Sequence, residues 1–342
     1  MSNKAAATAA SPGRIFEVGY GFAACSALLS AIELDVFTEL AKEPASLDDL
    51  TRRVGIHPRS ALDFFDVLVT LGFLERDDDG VYSNSMDTDY YLDRNKATFV
   101  GSIFSQVTNN HFPMSVNLTK GIRTGEVQID RQKTEDDLFD FYEDPKQLDG
   151  FLQGQNEWNE PSSKALPTAF EFEKYQTVAD IGCAGGGLLR EVLAAHPHLQ
   201  GIGFDLPPVG PQFDVYIEQH GLADRAKFIG GDFFKDPLPT ADVLTFGHIL
   251  HDWNPEIRKR LLHMAYETLA PGGVVIVIDA IVDSERRNAP LPLLLSLGMS
   301  LVTPHGGEYT DRDCEEWMRD AGFSEIRVEH LIGFDSMVVG VK

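Results

Sequence analysis

The sequence predicts an α/β protein of two domains: a mostly helical N-terminal domain over residues 1–165, and an open α/β sheet with a terminal hairpin over 166–342. Three observations predict it. The chain's 342 residues exceed one typical core of roughly 100 to 200 residues. From about Tyr175 short apolar runs of strand length alternate with helical patterns. The first of those runs ends in a glycine-rich turn that leads into a helix.

In the N-terminal domain, apolar residues recur at helical spacing over residues 15–42, including Phe22, Leu28, Leu29, Ile32, Leu34, Phe37 and Leu40, which predicts a buried helix pair. Ser46-Leu47-Asp48-Asp49 reads as a helix start with Ser46 as its cap, running through Leu50 and Val54 to a turn at Gly55. A second helix is expected over 59–71, and a short hairpin over 74–83 turning at Asp79-Gly80. Helix, turn, helix and hairpin form a winged-helix-like pattern. Residues 85–165 read as mainly helical, with polar interruptions at 108–111 and 120–134.

In the C-terminal domain, seven strands are expected at 177–181, 201–205, 227–230, 243–247, 274–279, 325–331 and 336–341. The last two form the hairpin.

Composition limits the partners. A net charge of -24 argues against a polyanion, because a nucleic-acid binder needs a basic face to displace counterions from phosphates. The winged-helix-like segment confirms this locally: Asp63 and Asp66 follow Arg59 on the helix that would read DNA, and the hairpin carries Glu75, Asp77, Asp78 and Asp79. A ligand-responsive DNA-binding regulator is therefore disfavoured. Cys25, Cys183 and Cys314 are odd in number and show no metal-ligand spacing, which fits reduced thiols in a cytoplasm. No apolar run approaches the roughly 20 residues of a membrane span, and no secretory signal is visible at the start.

Chemistry concentrates in the second domain. Val178-Ala179-Asp180-Ile181-Gly182-Cys183-Ala184-Gly185-Gly186-Gly187 is strand then glycine turn, and residues 201–205 are a second strand ending in Asp205. Small residues let backbone approach a nucleoside ligand, and an acid at the second strand's end can bond ribose hydroxyls. Ala184 stands where a dinucleotide fingerprint has its second glycine, so a diphosphate fits less well. Gly230-Gly231-Asp232-Phe233 places a carboxylate and an aromatic after the third strand, where an adenine could be bonded and stacked. The set suits S-adenosylmethionine, which carries no phosphate.

At these residues the chain resembles the S-adenosylmethionine-dependent O-methyltransferases of the plant caffeate type and their bacterial small-molecule relatives. The matching motifs are the 180–187 turn, Phe204-Asp205-Leu206-Pro207, Gly230-Gly231-Asp232-Phe233, His251-Asp252-Trp253, Leu269-Ala270-Pro271-Gly272-Gly273 and Gly306-Gly307-Glu308-Tyr309-Thr310, over roughly residues 150–342. The resemblance implies a Rossmann-like class I methyltransferase fold and a homodimer formed by the N-terminal domain, which also caps the substrate. It implies cofactor contacts from Asp180, Gly182, Gly186, Asp205, Leu206, Gly231, Asp232, Phe233 and Gly247, and S-adenosylhomocysteine as coproduct. Gly247 departs from the lysine of plant members.

The resemblance places the general base at His251, after the fourth strand, where ligand sites of such sheets gather. An imidazole with a pKa near 6.5 can take a hydroxyl proton. His248 reads as structural. Asp279 and Glu308 match the acids that support the base, although Asp279 stands where the family usually has glutamate and its shorter side chain weakens the expected bond. Methyl transfer is a displacement that turns a sulfonium into a neutral thioether, so no metal is required. Oxygen is the favoured acceptor atom. The alternative is an S-methyltransferase acting on a thioether acid such as 4-methylthio-2-hydroxybutyrate, the bacterial route to dimethylsulfoniopropionate, with His251 as a binding residue. Met299 and Thr303 match acceptor-facing positions, with Tyr142, Asn109, Trp158, Phe104 and Phe141 as further candidates and Arg123 or Arg131 as cations for an acidic acceptor.

Overall fold

The computed structural model describes residues 10–128 and 140–342, which divide into two compact units at Phe104/Ser105. The first contains α1 (Gly13–Gly19), α2 (Gly21–Glu33), α3 (Val36–Lys42), β1 (Ala45–Ser46), α4 (Leu47–Arg53), α5 (Pro58–Thr70), β2 (Leu74–Arg76), β3 (Val81–Asn84) and α6 (Met86–Tyr91). Local chemistry sets these boundaries. The Ser46 hydroxyl accepts from Asp49 N–H at 3.3 Å and caps α4, while Pro58 occupies the first turn of α5 behind a His57 cap. Asp77 Oδ1 accepts from Val81 N–H at 2.8 Å and closes the β2–β3 turn.

A short antiparallel strand, β1, joins the hairpin in the order β1-β3-β2, an addition that sequence patterning did not show because it is two residues long. Phe37, Leu40, Leu50, Phe65, Leu68 and Tyr82 fill the core. The expected burial of the first helices holds only from Ile32 onward. Ile15, Phe16, Val18, Tyr20 and Phe22 are exposed, and Tyr20 and Phe22 stack on each other with ring centroids 6.2 Å apart.

The second unit follows through α7 (Ile103–Gln106), α8 (Phe112–Ser115), α9 (Leu118–Thr124), α10 (Pro145–Ala169), β4 (Thr177–Ile181), α11 (Gly187–Ala195), β5 (Gln200–Asp205), α12 (Gly210–Gln219), β6 (Ala226–Gly230), β7 (Val243–Gly247), α13 (Pro255–Thr268), β8 (Val274–Asp279), α14 (Pro290–Val302), α15 (Asp311–Ala321), β9 (Ser324–Ile332) and β10 (Asp335–Val341). Residues 108–111, expected as a polar break, lie in a single π turn. Residues 105–165, assigned to the N-terminal domain from sequence, fall in the second unit because α10 packs on α11 and β9.

The seven-stranded sheet runs β6-β5-β4-β7-β8-β10-β9, parallel except for β10, which is antiparallel to both neighbours. Its interior strands are apolar on both faces. Along β8, Val275 and Val277 join Leu244, Phe246 and Leu261 on one side, while Val274, Ile276 and Ile278 join Leu189, Val192 and Met337 on the other. The strand order reverses between β4 and β7, which opens a crevice at their carboxyl ends. Register then brings three distant segments to that edge: Gly247 pairs with Ile278, and Ser336 with Asp279. His248, Asp279 and Asp335 become neighbours for this reason.

Candidate active site

A cavity of about 720 Å³ opens at the carboxyl ends of β4, β5 and β7. A smaller one adjoins it and shares Asn159, Gly182, Ala184, Gly247 and His248 as walls. Gly182 makes the turn possible: its φ is +75°, and an added Cβ would come within 2.2 Å of the Ile249 side chain. Gly187 serves a different approach, since a Cβ there would stand 2.9 Å from Asn156 Oδ1, so the bare backbone admits this side chain from α10.

Asp205 ends β5 inside the large cavity, with Oδ2 accepting from Ala184 N–H at 2.9 Å and Oδ1 from Leu206 N–H at 2.7 Å. Burial raises its pKa to about 6, and those two bonds oppose the rise. Each oxygen keeps lone pairs for a vicinal diol. Asp180 lines the small cavity, where burial lifts its pKa to about 7 against the Thr245 hydroxyl bonded at 2.7 Å. Asn159 Oδ1 lies buried beside the same space with no hydrogen-bond partner among the described residues.

These groups fit S-adenosylmethionine. Asp205 would hold the ribose, Phe233 and Ile249 would wall the adenine, and Asp180 with Asn159 would accept from the ammonium. Leu206, Gly231, Asp232 and Gly247 line the large cavity. Asp232 is engaged locally, accepting from Phe234 N–H at 2.8 Å and pairing with Lys235 at 2.8 Å. Gly186 lines neither cavity and instead makes room for the Phe213 ring, 2.9 Å from where its Cβ would be.

His251, Asp279 and Glu308 come together. His251 Nδ1 lies 3.0 Å from Glu308 Oε1 and 3.4 Å from Asp279 Oδ1, while Nε2 stands 3.8 Å from Asp252 Oδ1, beyond hydrogen-bond reach. The Tyr309 hydroxyl donates to Asp279 Oδ2. Burial alone would lower the His251 pKa, but the Glu308 and Asp279 carboxylates outweigh it and raise it to about 10. Burial raises Asp279 as well, although His251 opposes this.

The loop carrying Glu308 is fixed by three bonds that sequence reasoning missed: Gly307 N–H donates to His251 O at 2.8 Å, Glu308 N–H to Ser296 Oγ at 3.0 Å, and the buried Arg258 to Gly307 O at 2.5 Å. Arg258 also stacks on Tyr309, its guanidinium carbon 4.8 Å from the ring centroid.

The expected acceptor residues are less gathered. Tyr142 is buried and lines the large cavity, where burial and the nearby Asp205 hold its hydroxyl well above its ordinary pKa. Thr303 is buried but accepts from Gly306 N–H at 2.8 Å, closing the loop after α14. Met299 is half-buried on α14, and Trp158 packs its ring on His111 and Phe334. Asn109 and Arg123 are exposed, and Phe104 packs on the core of the first unit. Arg131 and the Phe141 side chain lie outside the described residues. His248, read as structural, is a wall of both cavities.

Comparison with known proteins agrees with this geometry. Residues 117–324 match the model of the O-methyltransferase domain, and residues 16–94 match the O-methyltransferase dimerisation domain. The tetracenomycin polyketide synthesis 8-O-methyl transferase TcmO of Streptomyces glaucescens is 41% identical, covering 97% of both chains. The N,N-dimethyltransferase OxyT of Streptomyces rimosus is 32% identical over 92% of both. Human N-acetylserotonin methyltransferase, solved in complex with S-adenosylmethionine, superposes with a TM-score of 0.79 at 25% identity, covering 98% of this chain and 99% of that one. The chain therefore belongs to the O-methyltransferase family and is an S-adenosylmethionine-dependent methyltransferase of small-molecule acceptors.

Proposed function

We propose that this enzyme methylates a phenolic hydroxyl of a polyketide-type small molecule, with His251 as the base and Glu308 and Asp279 as the carboxylates that orient it. The observation that carries this reading is the anchoring of His251 Nδ1 on Glu308 at 3.0 Å, which holds the ring by one nitrogen and leaves Nε2 to accept a proton. A phenol titrates near 10, like tyrosine, and its proton is within reach of an imidazole whose basicity the Glu308 and Asp279 carboxylates raise. TcmO, named for 8-O-methylation in polyketide synthesis, supports the same class.

When bound, S-adenosylmethionine supplies an electrophilic methyl carbon on a sulfonium and leaves as S-adenosylhomocysteine. Asp205, Asp180 and Asn159 hold its polar groups, and Trp253 stacked edge-on against Phe233 and Phe234 helps keep water from that end of the cavity. His251 Nε2 takes the hydroxyl proton as the oxygen attacks, and the Glu308 and Asp279 carboxylates stabilise the imidazolium.

The enzyme works as a homodimer in the cytoplasm. Exposed Ile15, Phe16, Val18, Tyr20 and Phe22 within the matched dimerisation segment or at its edge support the pairing, and the three unpaired cysteines support a reducing compartment.

S-adenosylhomocysteine formation and product mass, measured over a panel of phenols, amines and methylthio acids, test the reading. A methyl ether from a phenol is expected, with His251→Ala lowering turnover by about 10² to 10⁴. An N-methyl product, as the name of OxyT describes for that relative, or a sulfonium from a thioether acid would replace it.

A further inference from the structure

Arg258 is a buried cation directed at backbone. It sits in the first turns of α13 with 5% of its surface exposed, and among the described residues it forms no ion pair with a carboxylate. Its Nη2 instead donates to Gly307 O at 2.5 Å and stands 3.5 Å from His251 O, while Nε is buried without a hydrogen bond. The guanidinium carbon lies 4.8 Å from the Tyr309 ring centroid and 5.5 Å from that of Trp317, so two aromatic side chains hold it in place. An apolar residue would fill this space with less desolvation cost; what the guanidinium adds is a forked donor facing two carbonyls.

Those carbonyls belong to His251 and to the residue before Glu308. His251 O also accepts from Gly307 N–H at 2.8 Å, and the loop approaches so closely that a Cβ on Gly306 would come within 2.8 Å of the same oxygen. The loop is thus laid against the backbone of His251, with Arg258 behind it. Helix α13 is a firm mount, because Asn254 Oδ1 caps it by accepting from Ile257 N–H at 3.0 Å, directly after the His251-Asp252-Trp253 stretch. Fixing Gly307 at both its N–H and its carbonyl fixes where the next residue, Glu308, meets Nδ1 at 3.0 Å.

On the reading of His251 as the base, we infer that Arg258 is a positioning residue: it clamps the backbone of Gly307 onto that of His251 and so holds the Glu308 carboxylate on the imidazole. The clamp has a sign of its own. The Glu308, Asp279 and Asp252 carboxylates and the His248 ring all face the His251 imidazole. A guanidinium acts on that ring in the opposite sense to a carboxylate, so deleting its charge alone would raise the His251 pKa. Deleting the clamp lets Glu308 move away and lowers it.

The test reads the imidazole directly and needs no acceptor. Enzyme labelled with ¹³C at histidine Cε1 is titrated by NMR with S-adenosylhomocysteine present, the His251 signal being the one absent from His251→Ala. Arg258→Met, which keeps an unbranched stem beside Tyr309 and Trp317, is expected to lower the His251 pKa from about 10 by about one unit or more. In a Glu308→Gln background the same substitution should shift it by less than about 0.3 unit, since the group that Arg258 positions is already gone. Arg258→Lys, which keeps the charge and a single donor, is expected to lower it by about half a unit, and it carries the test if calorimetry shows that Arg258→Met no longer binds S-adenosylhomocysteine. A His251 pKa that rises or stays in place overturns the inference, and so does an equal fall in both backgrounds. The two readings fail separately: undiminished turnover by His251→Ala removes the base and leaves the clamp, whereas an unmoved pKa in the Arg258 variants removes the clamp and leaves the base.

Discussion

His251 is anchored by Glu308 in preference to Asp279: its Nδ1 lies 3.0 Å from the glutamate oxygen and 3.4 Å from the aspartate oxygen, and the other Asp279 oxygen is taken by Tyr309. The motif's departure from glutamate at position 279 is thus offset from the opposite wall. Glu308 is the nearer carboxylate to the proposed base, and Asp279 stands 0.4 Å further off.

Glu308→Gln should therefore weaken the base in a directional way. The carboxylate stabilises the imidazolium, so its removal lowers the His251 pKa from about 10. Because the working form is the deprotonated ring, wild-type kcat/KM rises with pH through neutrality. In the variant that acid limb moves down by about one unit or more while the plateau falls about 10²-fold. A limb that stays in place in the pH profile would refute the coupling.

Tyr309→Phe leaves Asp279 Oδ2 buried without its hydroxyl donor. The expected cost is about 1–3 kcal/mol of stability, read as a lower midpoint in urea at unchanged slope. Activity should fall less than tenfold, since Glu308 still holds His251.

Asp180→Asn exposes a trade between stability and binding. In the fold Asp180 has a pKa of about 7, raised by burial above the usual carboxylate value, so the native state binds the extra proton between about 4 and 7. The charged form then penalises the fold, with the penalty growing across that window and complete above it. The variant should gain about 1–4 kcal/mol over wild type at pH 8 and little at pH 4, by thermal melts across pH. Its affinity for S-adenosylmethionine should drop at least tenfold, consistent with strain kept for ligand.

Asp205→Ala strands the Ala184 and Leu206 N–H groups and, on the proposed ribose assignment, removes the carboxylate that would hold the diol. S-adenosylmethionine affinity should weaken about 10²-fold in calorimetry. Unchanged affinity would refute the assignment of the ribose to this carboxylate.

Much of this was legible in the sequence because it is local. The strand, glycine turn and Asp205 lie close together in the chain, and their residue types state their purpose. The seven strands were found to within a residue or so at each end, since buried parallel strands are continuous apolar runs. Contacts across the fold were less readable. His251 and Glu308 are 57 residues apart, and only distances show which acid takes Nδ1. His248 looked like packing because Asp335, which faces it, sits in the terminal hairpin and is brought near by β10 pairing with β8. Asn156 and Asn159 were missed because polar residues on a long helix read as a solvent face; the cue was the glycine at 187, which admits Asn156. Exposed Phe16 and Phe22 read as core because periodicity reports burial without saying against what.

The helix that supplies those asparagines carries Pro161 and Pro167 in its interior, so two of its turns lack an amide donor. Asn156, Asn159, Ser162 and Ser163 on the same stretch wall the small cavity. With the methyl donor seated there as proposed, ligand binding would replace cohesion that the backbone has given up, and the amides of α10 should exchange with deuterium more slowly in the loaded enzyme than in the empty one. On this reading the proline-weakened helix would make the methyl donor a conformational ligand as well as a reagent.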